Sequence, residues 1–131
     1  LIQQEGDCII TGSYLLLYRA VYNLVENAIK YNHSGGKVTV NIHPSEEITD
    51  TSTSVNYVFL EVSDTGIGIP PEYQEKIFTP FFRVDKSRSR AMGGAGLGLA
   101  LVSEIVRQHN GQVKVLESSK KASIIAIMLP V

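Results

Sequence analysis

The sequence of 131 residues lacks tryptophan and contains a single cysteine, Cys8. One cysteine excludes both an internal disulfide and a cysteine-based zinc cluster, a composition typical of a reducing compartment. A charge excess is also missing, because twelve Lys and Arg stand against thirteen Asp and Glu, for a formal net charge of −1. The strong basicity of many nucleic-acid-binding proteins is therefore absent, and any anion-binding site must be local.

Long apolar runs are missing as well. The longest, residues 124–129, is far shorter than the roughly 20 residues that a membrane-spanning helix needs. We therefore expect neither a membrane span nor a signal peptide. The chain is long enough for one cored domain, so we expect residues 1–131 to form a single domain. Because it starts at Leu1 and stops just after an apolar strand pattern, we expect it to be a piece of a longer protein.

Hydrophobic periodicity predicts the main elements. Apolar side chains at three- and four-residue steps predict a helix over residues 13–30, with Ser13 as its N-cap, and the apolar run 8–11 predicts a short strand before it. The later elements, in chain order, are a strand at 37–42, a polar solvent loop at 44–54, a strand at 57–62, a short helix at 71–77, a helix at 97–108, and a hairpin of strands 112–116 and 123–129.

No regular period is found between residues 78 and 95, where we predict a long mobile loop. We expect Phe78, Phe81 and Phe82 at its start to fill the core.

Hairpin pairs and helical crossovers alternate irregularly along the chain. This order favours a two-layer α/β sandwich with a mixed sheet over a doubly wound parallel sheet.

Four polar residues of the first predicted helix fall on one stripe: Asn23, Asn27, Lys30 and Tyr31. Amide oxygens are suitable ligands for Mg²⁺, an ion that commonly shares its site with phosphate oxygens, and Lys30 could neutralise such phosphates. The alternative is a solvated polar face of an amphipathic helix. On these four residues alone, the solvated face is the better interpretation.

Residues 64–70, with the sequence Asp-Thr-Gly-Ile-Gly-Ile-Pro, follow an apolar strand. Glycines there let the backbone approach a ligand closely. The carboxylate of Asp64 at the strand end could accept a hydrogen bond from an exocyclic amine such as that of adenine. A plain turn that ends a strand explains the same residues, so this motif alone is weak.

Residues 93–100 are rich in glycine and lead directly into a predicted helix. Free amides at a helix N-terminus form a phosphate cradle, and a flexible hinge is an equally good interpretation of this segment alone. The segment does not follow a first strand as in a Rossmann fold, and it has no Gly-Lys-Ser/Thr of a Walker loop. Ahead of it, basic residues from Arg83 to Arg90 are either surface charge or ligands of a γ-phosphate on a lid.

The order and spacing of four motifs carry more information than any one of them. They are Asn-Leu-Val-Glu-Asn-Ala-Ile-Lys-Tyr, Asp-Thr-Gly-Ile-Gly-Ile-Pro, Phe-Thr-Pro-Phe-Phe-Arg-Val-Asp and Gly-Gly-Ala-Gly-Leu-Gly-Leu-Ala-Leu-Val. Together they resemble the N, G1, F and G2 boxes of sensor histidine kinases. The resemblance implies a catalytic ATP-binding domain of the Bergerat (GHKL) fold, in which a mixed, mostly antiparallel sheet is backed by helices. It also implies an ATP lid at about residues 78–95.

The resemblance assigns roles position by position. It implies that Asn27 coordinates Mg²⁺ with Asn23 as its neighbour, that Asp64 recognises adenine, and that Arg83 reaches the γ-phosphate from the lid. Catalytic roles are implied for Asn23, Lys30 and Arg83. The other implied ATP-binding positions are Lys30, Tyr31, Gly66, Gly68, Ile69, Gly94, Gly96, Leu97 and Gly98.

One position separates the two chemistries of this fold. ATPase relatives of the gyrase and heat-shock chaperone type carry a general-base Glu where this sequence has Asn23, and a carboxamide cannot take up a proton. We therefore expect slow hydrolysis and transfer of the γ-phosphoryl group to a nucleophile from elsewhere. Glu26 could in principle take over as base, but its angle on the helix is unfavourable.

The phosphoryl acceptor itself is expected outside this sequence. His33, His43 and His109 lack the context of a phosphoacceptor histidine, and we expect all three to be structural or surface residues. The resemblance implies an acceptor His on a dimerisation hairpin, a response-regulator partner, and a monomeric cytoplasmic domain of a membrane-bound sensor. A GHKL-type ATPase switch and a non-catalytic nucleotide-binding module stay open as alternatives.

Overall fold

In the computed structural model, residues 2–4, 8–48, 54–82, 97–119 and 122–131 are described. Within these ranges, two α-helices lie against a five-stranded sheet. In chain order, the elements are β1 (Ile2–Gln4), α1 (Tyr14–Lys30), β2 (Val38–Ile48), β3 (Ser54–Asp64), two single 3-10 turns (Pro71–Tyr73 and Lys76–Phe78), α2 (Gly98–Gln108), β4 (Gln112–Ser119) and β5 (Ala122–Pro130).

The strand order across the sheet is β1-β2-β3-β5-β4. β1 pairs with β2 in parallel, and the other three pairs are antiparallel. Because β3 and β5 are paired along their lengths, Asp64 at the end of β3 lies directly opposite Ser123. The predicted two-layer α/β sandwich with a mixed, mostly antiparallel sheet is confirmed.

Helix α1 starts where the sequence predicts. The hydroxyl oxygen of Ser13 accepts a hydrogen bond from the Leu16 amide at 3.3 Å, so it satisfies one of the unpaired donors of the first turn. The three fully buried residues, Ala20, Leu24 and Ala28, recur every four positions and face the core. Small residues at two of these positions let the helix lie close to its neighbours.

Helix α2 runs antiparallel to α1. At one end, the backbone amide of Ser13 donates to Nε2 of His109 at 3.0 Å, and at the other end Gly98 lies beside Asn23. The Nδ1 of His109 lies 2.7 Å from the carbonyl oxygen of Ile105, so the ring bonds both helices when Nδ1 carries the proton. The exposed face of α2 carries Glu104, and the hydrogen bond from Arg107 lowers the pKa of this carboxyl group.

The hydrophobic core lies between the two helices and one face of the sheet. Besides the three residues of α1, its buried members are Val102, Ile105 and Val106 of α2, Ile77 of the second 3-10 turn, and Val40, Val62, Ile125, Ile127 and Leu129 of the strands. Their burial joins α1, β3 and α2, the elements that carry the predicted site, into one packed unit.

The strand predicted at 8–11 is wrong. Residues 8–11 form no strand, and the strand that precedes α1 is instead β1, Ile2–Gln4, which the sequence pattern missed. Ile10 packs against the core while Ile9 is 78% exposed, so the apolar run serves as a connection. Local β propensity is overridden here because β1 occupies the parallel edge of β2 at Val40–Ile42.

The polar stretch 44–54 is also not simply a solvent loop. β2 continues to Ile48 and β3 begins at Ser54, so both strands are longer than predicted, and residues 49–53 lie outside the described ranges. Pro44 fits inside β2 because β1 pairs with β2 only as far as Ile42, and proline is tolerated at a strand edge. Antiparallel pairing compensates for the polar composition of this hairpin.

The helix predicted at 71–77 is replaced by the two separate 3-10 turns. Of the three phenylalanines expected in the core, Phe78 and Phe82 pack against it, whereas Phe81 is 70% exposed with φ of 65°. Most of the predicted lid, residues 83–95, lies outside the described residues. The helices of the described chain are all too short or too polar to cross a membrane.

Candidate functional site

Three predicted site residues follow one another along α1. Asn23, Asn27 and Lys30 are all half-buried and lie on the same stripe of the helix. The stripe begins beside the N-terminus of α2 and ends at Tyr31, the C-cap of α1. From Asn23 to Tyr31 this is about 12 Å along the axis at 1.5 Å per residue.

The N-terminus of α2 meets α1 at Asn23. A methyl group placed on Gly98 would lie 3.0 Å from Oδ1 of Asn23, so the Asn23 carboxamide lies directly against the start of α2 where position 98 has no side chain. Leu97, the N-cap of α2, is 44% exposed and provides no side-chain cap. The first amides of α2 are therefore available to an anion next to Asn23.

The amide of Asn23 is itself held in place. Its Nδ2 donates to the backbone oxygen of Arg19 at 2.8 Å, one turn earlier in α1. This bond directs Oδ1 towards Gly98 and the start of α2. The arrangement presents an oxygen acceptor at this end of the site and no ionisable group on that side chain.

Lys30 forms an ion pair with Glu26. Its Nζ lies 3.0 Å from Oε1 of Glu26, and both side chains are partly exposed. Such an i, i+4 pair stabilises a helix by only about 0.3–0.5 kcal/mol, so a stronger anion could draw Lys30 away. The same pair holds the carboxylate of Glu26 against a cation.

At the other end of the site, Asp64 is fixed through both carboxylate oxygens. Oδ1 accepts the backbone N–H of Gly66 at 2.9 Å, and Oδ2 accepts the hydroxyl of Ser123 at 2.7 Å. Ser123 is only 4% exposed and is the one buried polar residue of the described chain. A half-buried carboxylate held this way keeps lone pairs for one further donor.

The loop after Asp64 is fitted tightly to its neighbours. A side chain on Gly66 would overlap the carbonyl oxygen of Tyr31, and that oxygen also accepts the N–H of Ile67 at 3.3 Å. Gly68 has φ of +74°, and a side chain there would overlap the backbone of Ser119. The loop thus requires glycine at both predicted positions, one for space and the other for space and conformation.

Ile69 closes this loop against the hairpin of β4 and β5. Its N–H donates to the hydroxyl oxygen of Ser118 at 2.6 Å, while its side chain packs on the core. The loop is therefore held by α1 on one side and by the hairpin on the other. A flat ligand bound at Asp64 would meet a preformed wall.

The chemistry of the described residues fits a magnesium ion shared with phosphates. No cluster of three or more His, Cys, Asp or Glu that could hold a metal is found in the described ranges. The carboxamide of Asn27 makes no hydrogen bond in that same part of the chain and is half-buried. A single neutral oxygen suits Mg²⁺ when water and phosphate oxygens complete its shell.

Three predicted site residues, Arg83, Gly94 and Gly96, lie outside the described residues. Among the other predicted positions, the structure places Gly98 beside Asn23 and Gly66 beside Tyr31. Ser123, which was not among the predicted residues, lies opposite Asp64 because β3 pairs with β5. Its signal in the sequence was a hydroxyl residue at the start of an otherwise apolar run, 122–129.

Comparison with known proteins gives concordant matches. Residues 12–131 match the family described as histidine kinase-, DNA gyrase B- and HSP90-like ATPases. The chain is 40% identical over 127 residues to the sensor histidine kinase RppB of Synechocystis, covering 97% of the chain and 26% of RppB. It is 41% identical over 108 residues to the sensor histidine kinase WalK of Bacillus subtilis, covering 82% of the chain and 16% of WalK.

A solved structure agrees with these sequence matches. The mycobacterial sensor histidine kinase MprB superposes with a TM-score of 0.70 at 30% identity, covering 98% of this chain and 81% of that one. The chain spans about a quarter or less of the length of RppB and WalK.

Proposed function

Because the chain belongs to the family of histidine kinase-, DNA gyrase B- and HSP90-like ATPases, we propose that it is the catalytic ATP-binding domain of a sensor histidine kinase. In this proposal, the domain binds Mg²⁺-ATP and transfers the γ-phosphoryl group to a histidine on a separate dimerisation domain. A response-regulator receiver domain then accepts the group. The domain is monomeric and lies in the cytoplasm as part of a membrane-bound parent protein.

The geometry supports a definite orientation of the nucleotide. The exocyclic amine of adenine donates to Asp64, in the pocket shaped by Gly66, Gly68 and Ile69. The triphosphate runs along the α1 stripe past Tyr31 and Lys30 towards the start of α2. Leu97 and Gly98 there present backbone amides where the helix dipole favours negative charge.

Magnesium, when bound, would neutralise the charge of the phosphates that it shares with Asn27. Lys30 leaves Glu26 and adds its positive charge to the same phosphates. Arg83, Gly94 and Gly96 complete the site from a lid at about residues 78–95. Arg83 contacts the γ-phosphate, and the two glycines extend the row of amides that begins α2.

One observation carries the choice between transfer and hydrolysis: the carboxamide of Asn23 faces the start of α2, where a hydrolase needs a general base. An amide cannot accept a proton from water. Glu26, the nearest carboxylate of α1, is already held by an ion pair with Lys30. Water is therefore poorly activated, and a stronger nucleophile from another domain has the advantage.

The proposed transfer forms one bond to phosphorus and breaks another. An imidazole nitrogen of the acceptor attacks the γ-phosphorus, the bond to the bridging β–γ oxygen breaks, and ADP leaves with that electron pair. The proton on the attacking nitrogen passes to solvent or to a base of the acceptor domain. This chain positions ATP and stabilises the charge on the transferred group.

A phosphorylation assay tests the proposal. The chain is mixed with a dimerisation hairpin of a related sensor kinase and labelled ATP, and acid-labile, base-stable phosphohistidine is measured. We expect labelling by the wild type and none by Asn27→Asp or Asp64→Ala, because each change alters one end of the nucleotide site.

The control is a surface variant, Glu104→Gln, which should label like the wild type because Glu104 lies on the exposed face of α2. Full labelling by both site variants would contradict the site assignment. Rapid phosphate release without labelling would instead favour an ATPase switch, and nucleotide binding without either reaction would favour a non-catalytic module.

A further inference from the structure

A small hydrogen-bonded cluster connects the start of the Asp64 loop to the turn that follows α1. The Thr65 hydroxyl donates to Oδ1 of Asn32 at 3.1 Å and accepts the N–H of Lys37 at 2.8 Å. Nδ2 of Asn32 donates to the carbonyl oxygen of Lys37 at 3.0 Å, and the N–H of Thr65 donates to the same oxygen at 3.2 Å. We call these three residues the joint.

Asn32 is constrained on its other side as well. Its Oδ1 accepts the N–H of His33 at 2.9 Å. A side chain placed on Gly36 would overlap the carboxamide of Asn32. The turn between α1 and β2 is therefore folded around the Asn32 side chain. In this position Asn32 can meet Thr65 in only one orientation.

The position of the joint relates it to both ends of the nucleotide site. Thr65 directly follows Asp64, which the proposed function places against the purine. Asn32 directly follows Tyr31 and lies just past the last turn of α1, which carries Asn27 and Lys30.

We propose that Thr65 and Asn32 are positioning residues that set the distance between the purine-binding carboxylate and the phosphate- and metal-binding stripe of α1. The inference rests on the proposed function. It adds a role for Thr65, which lies in the second motif without an assigned role, and for Asn32, which directly follows the first motif. Neither residue touches the nucleotide. The joint acts by keeping Asp64 and Asn27 at the separation that one bound nucleotide requires.

This role predicts a difference between ligands. Adenosine contacts only the Asp64 end, so its affinity does not depend on the separation of the two ends. Mg²⁺-ADP contacts both ends at once, and its binding loses free energy when the ends are free to shift. The ratio of the two affinities therefore reports on the joint, whereas a general loss of folded protein lowers both affinities alike.

The experiment compares Thr65→Val with Thr65→Ser in titrations of adenosine and of Mg²⁺-ADP, followed by calorimetry and by NMR for the weaker ligand. Valine keeps the shape of threonine and removes the hydroxyl, whereas serine keeps the hydroxyl. We expect Thr65→Val to weaken Mg²⁺-ADP about tenfold and adenosine by no more than about twofold, and Thr65→Ser to match the wild type in both.

Asn32→Ala provides a second variant from the other side of the joint and should change the affinity ratio in the same direction. An unchanged ratio in a folded variant of either residue, or equal losses for both ligands, would overturn the inference. If neither variant folds, Asn32→Asp, which keeps the acceptor for Thr65 but not the donor to Lys37, decides by the same ratio. Failure of the wild type to bind Mg²⁺-ADP would instead overturn the proposed function.

Discussion

Two residues of the loop 64–69, Gly66 and Gly68, determine whether this loop can pack beside Asp64. Gly66 and Gly68 were predicted as site residues because glycine permits a close approach, and the structure shows what approaches them. At Gly66 it is a carbonyl oxygen of α1, and at Gly68 it is the backbone at the end of β4. The reason for each glycine is thus a contact between elements that are far apart in sequence.

Two glycines with a similar positive φ allow this to be tested. Gly68 and Gly35 have φ of +74° and +77°, but a side chain on Gly35 would meet nothing within 4 Å. Gly35→Ala should cost about 1–2 kcal/mol of unfolding free energy from the left-handed backbone alone. Gly68→Ala should cost about 1–3 kcal/mol more because of the overlap with Ser119.

Urea unfolding of the two variants measures this difference directly. The Gly68→Ala protein should also bind ADP more weakly than Gly35→Ala, because displacement of the loop moves the wall beside Asp64. Equal stability of the two variants would contradict the packing of Gly68 against β4.

At the scale of elements, the antiparallel pair of α1 and α2 positions the proposed phosphate end of the site. The pair is held at the far end by His109, whose ring accepts the Ser13 amide at the N-terminus of α1. Of the three histidines expected to be structural or surface residues, His109 is thus structural, and His43 stacks on Phe59 on the other face of the sheet. His33 is exposed.

Loss of the His109 bond should therefore be measurable. His109→Leu removes both ring hydrogen bonds, to the Ser13 amide and to the Ile105 oxygen, and should lower the unfolding free energy by about 1–3 kcal/mol, the net value of two such bonds. The matched change His33→Leu, at an exposed position, should stay within about 0.5 kcal/mol of the wild type. A His109→Leu protein as stable as His33→Leu would show that this contact does not join the helices in solution.

At the scale of the whole molecule, the proposed ligand spans both layers of the sandwich. In the proposed orientation, its purine end lies where β3 ends beside the start of β5, and its phosphate end lies on the helices. Neither layer holds enough of the site to bind the nucleotide tightly by itself. Affinity should therefore depend on both ends, and the metal should matter only at the helical end.

Removal of magnesium tests this division. Chelation of Mg²⁺ should weaken ATP binding by the wild type about tenfold, whereas Asn27→Ala should bind weakly with or without the metal. Ser123→Ala should bind more weakly overall but keep the full response to Mg²⁺, because Ser123 acts through Asp64 at the end of β3. Calorimetry with and without a chelator measures all three. An unaltered Mg²⁺ response in Asn27→Ala would remove Asn27 from the metal site.

The sequence by itself determined the helices and most of the strands. Period and capping are local properties, so α1 with Ser13, α2 and the hairpin of β4 and β5 were predicted from neighbouring residues alone. The roles of Asn23, Asn27 and Asp64 come from the resemblance of the four motifs to sensor histidine kinases, and they stay predictions.

Only the tertiary structure decided what depends on contacts between distant segments. The strand before α1 is β1 instead of residues 8–11, since the edge of β2 accepts one partner there. Ser123 supports Asp64 because β5 lies beside β3, and Asn32 meets Thr65 because the turn after α1 folds against the loop after β3. Such contacts arise from the packing of the helices on the sheet, which no local pattern encodes.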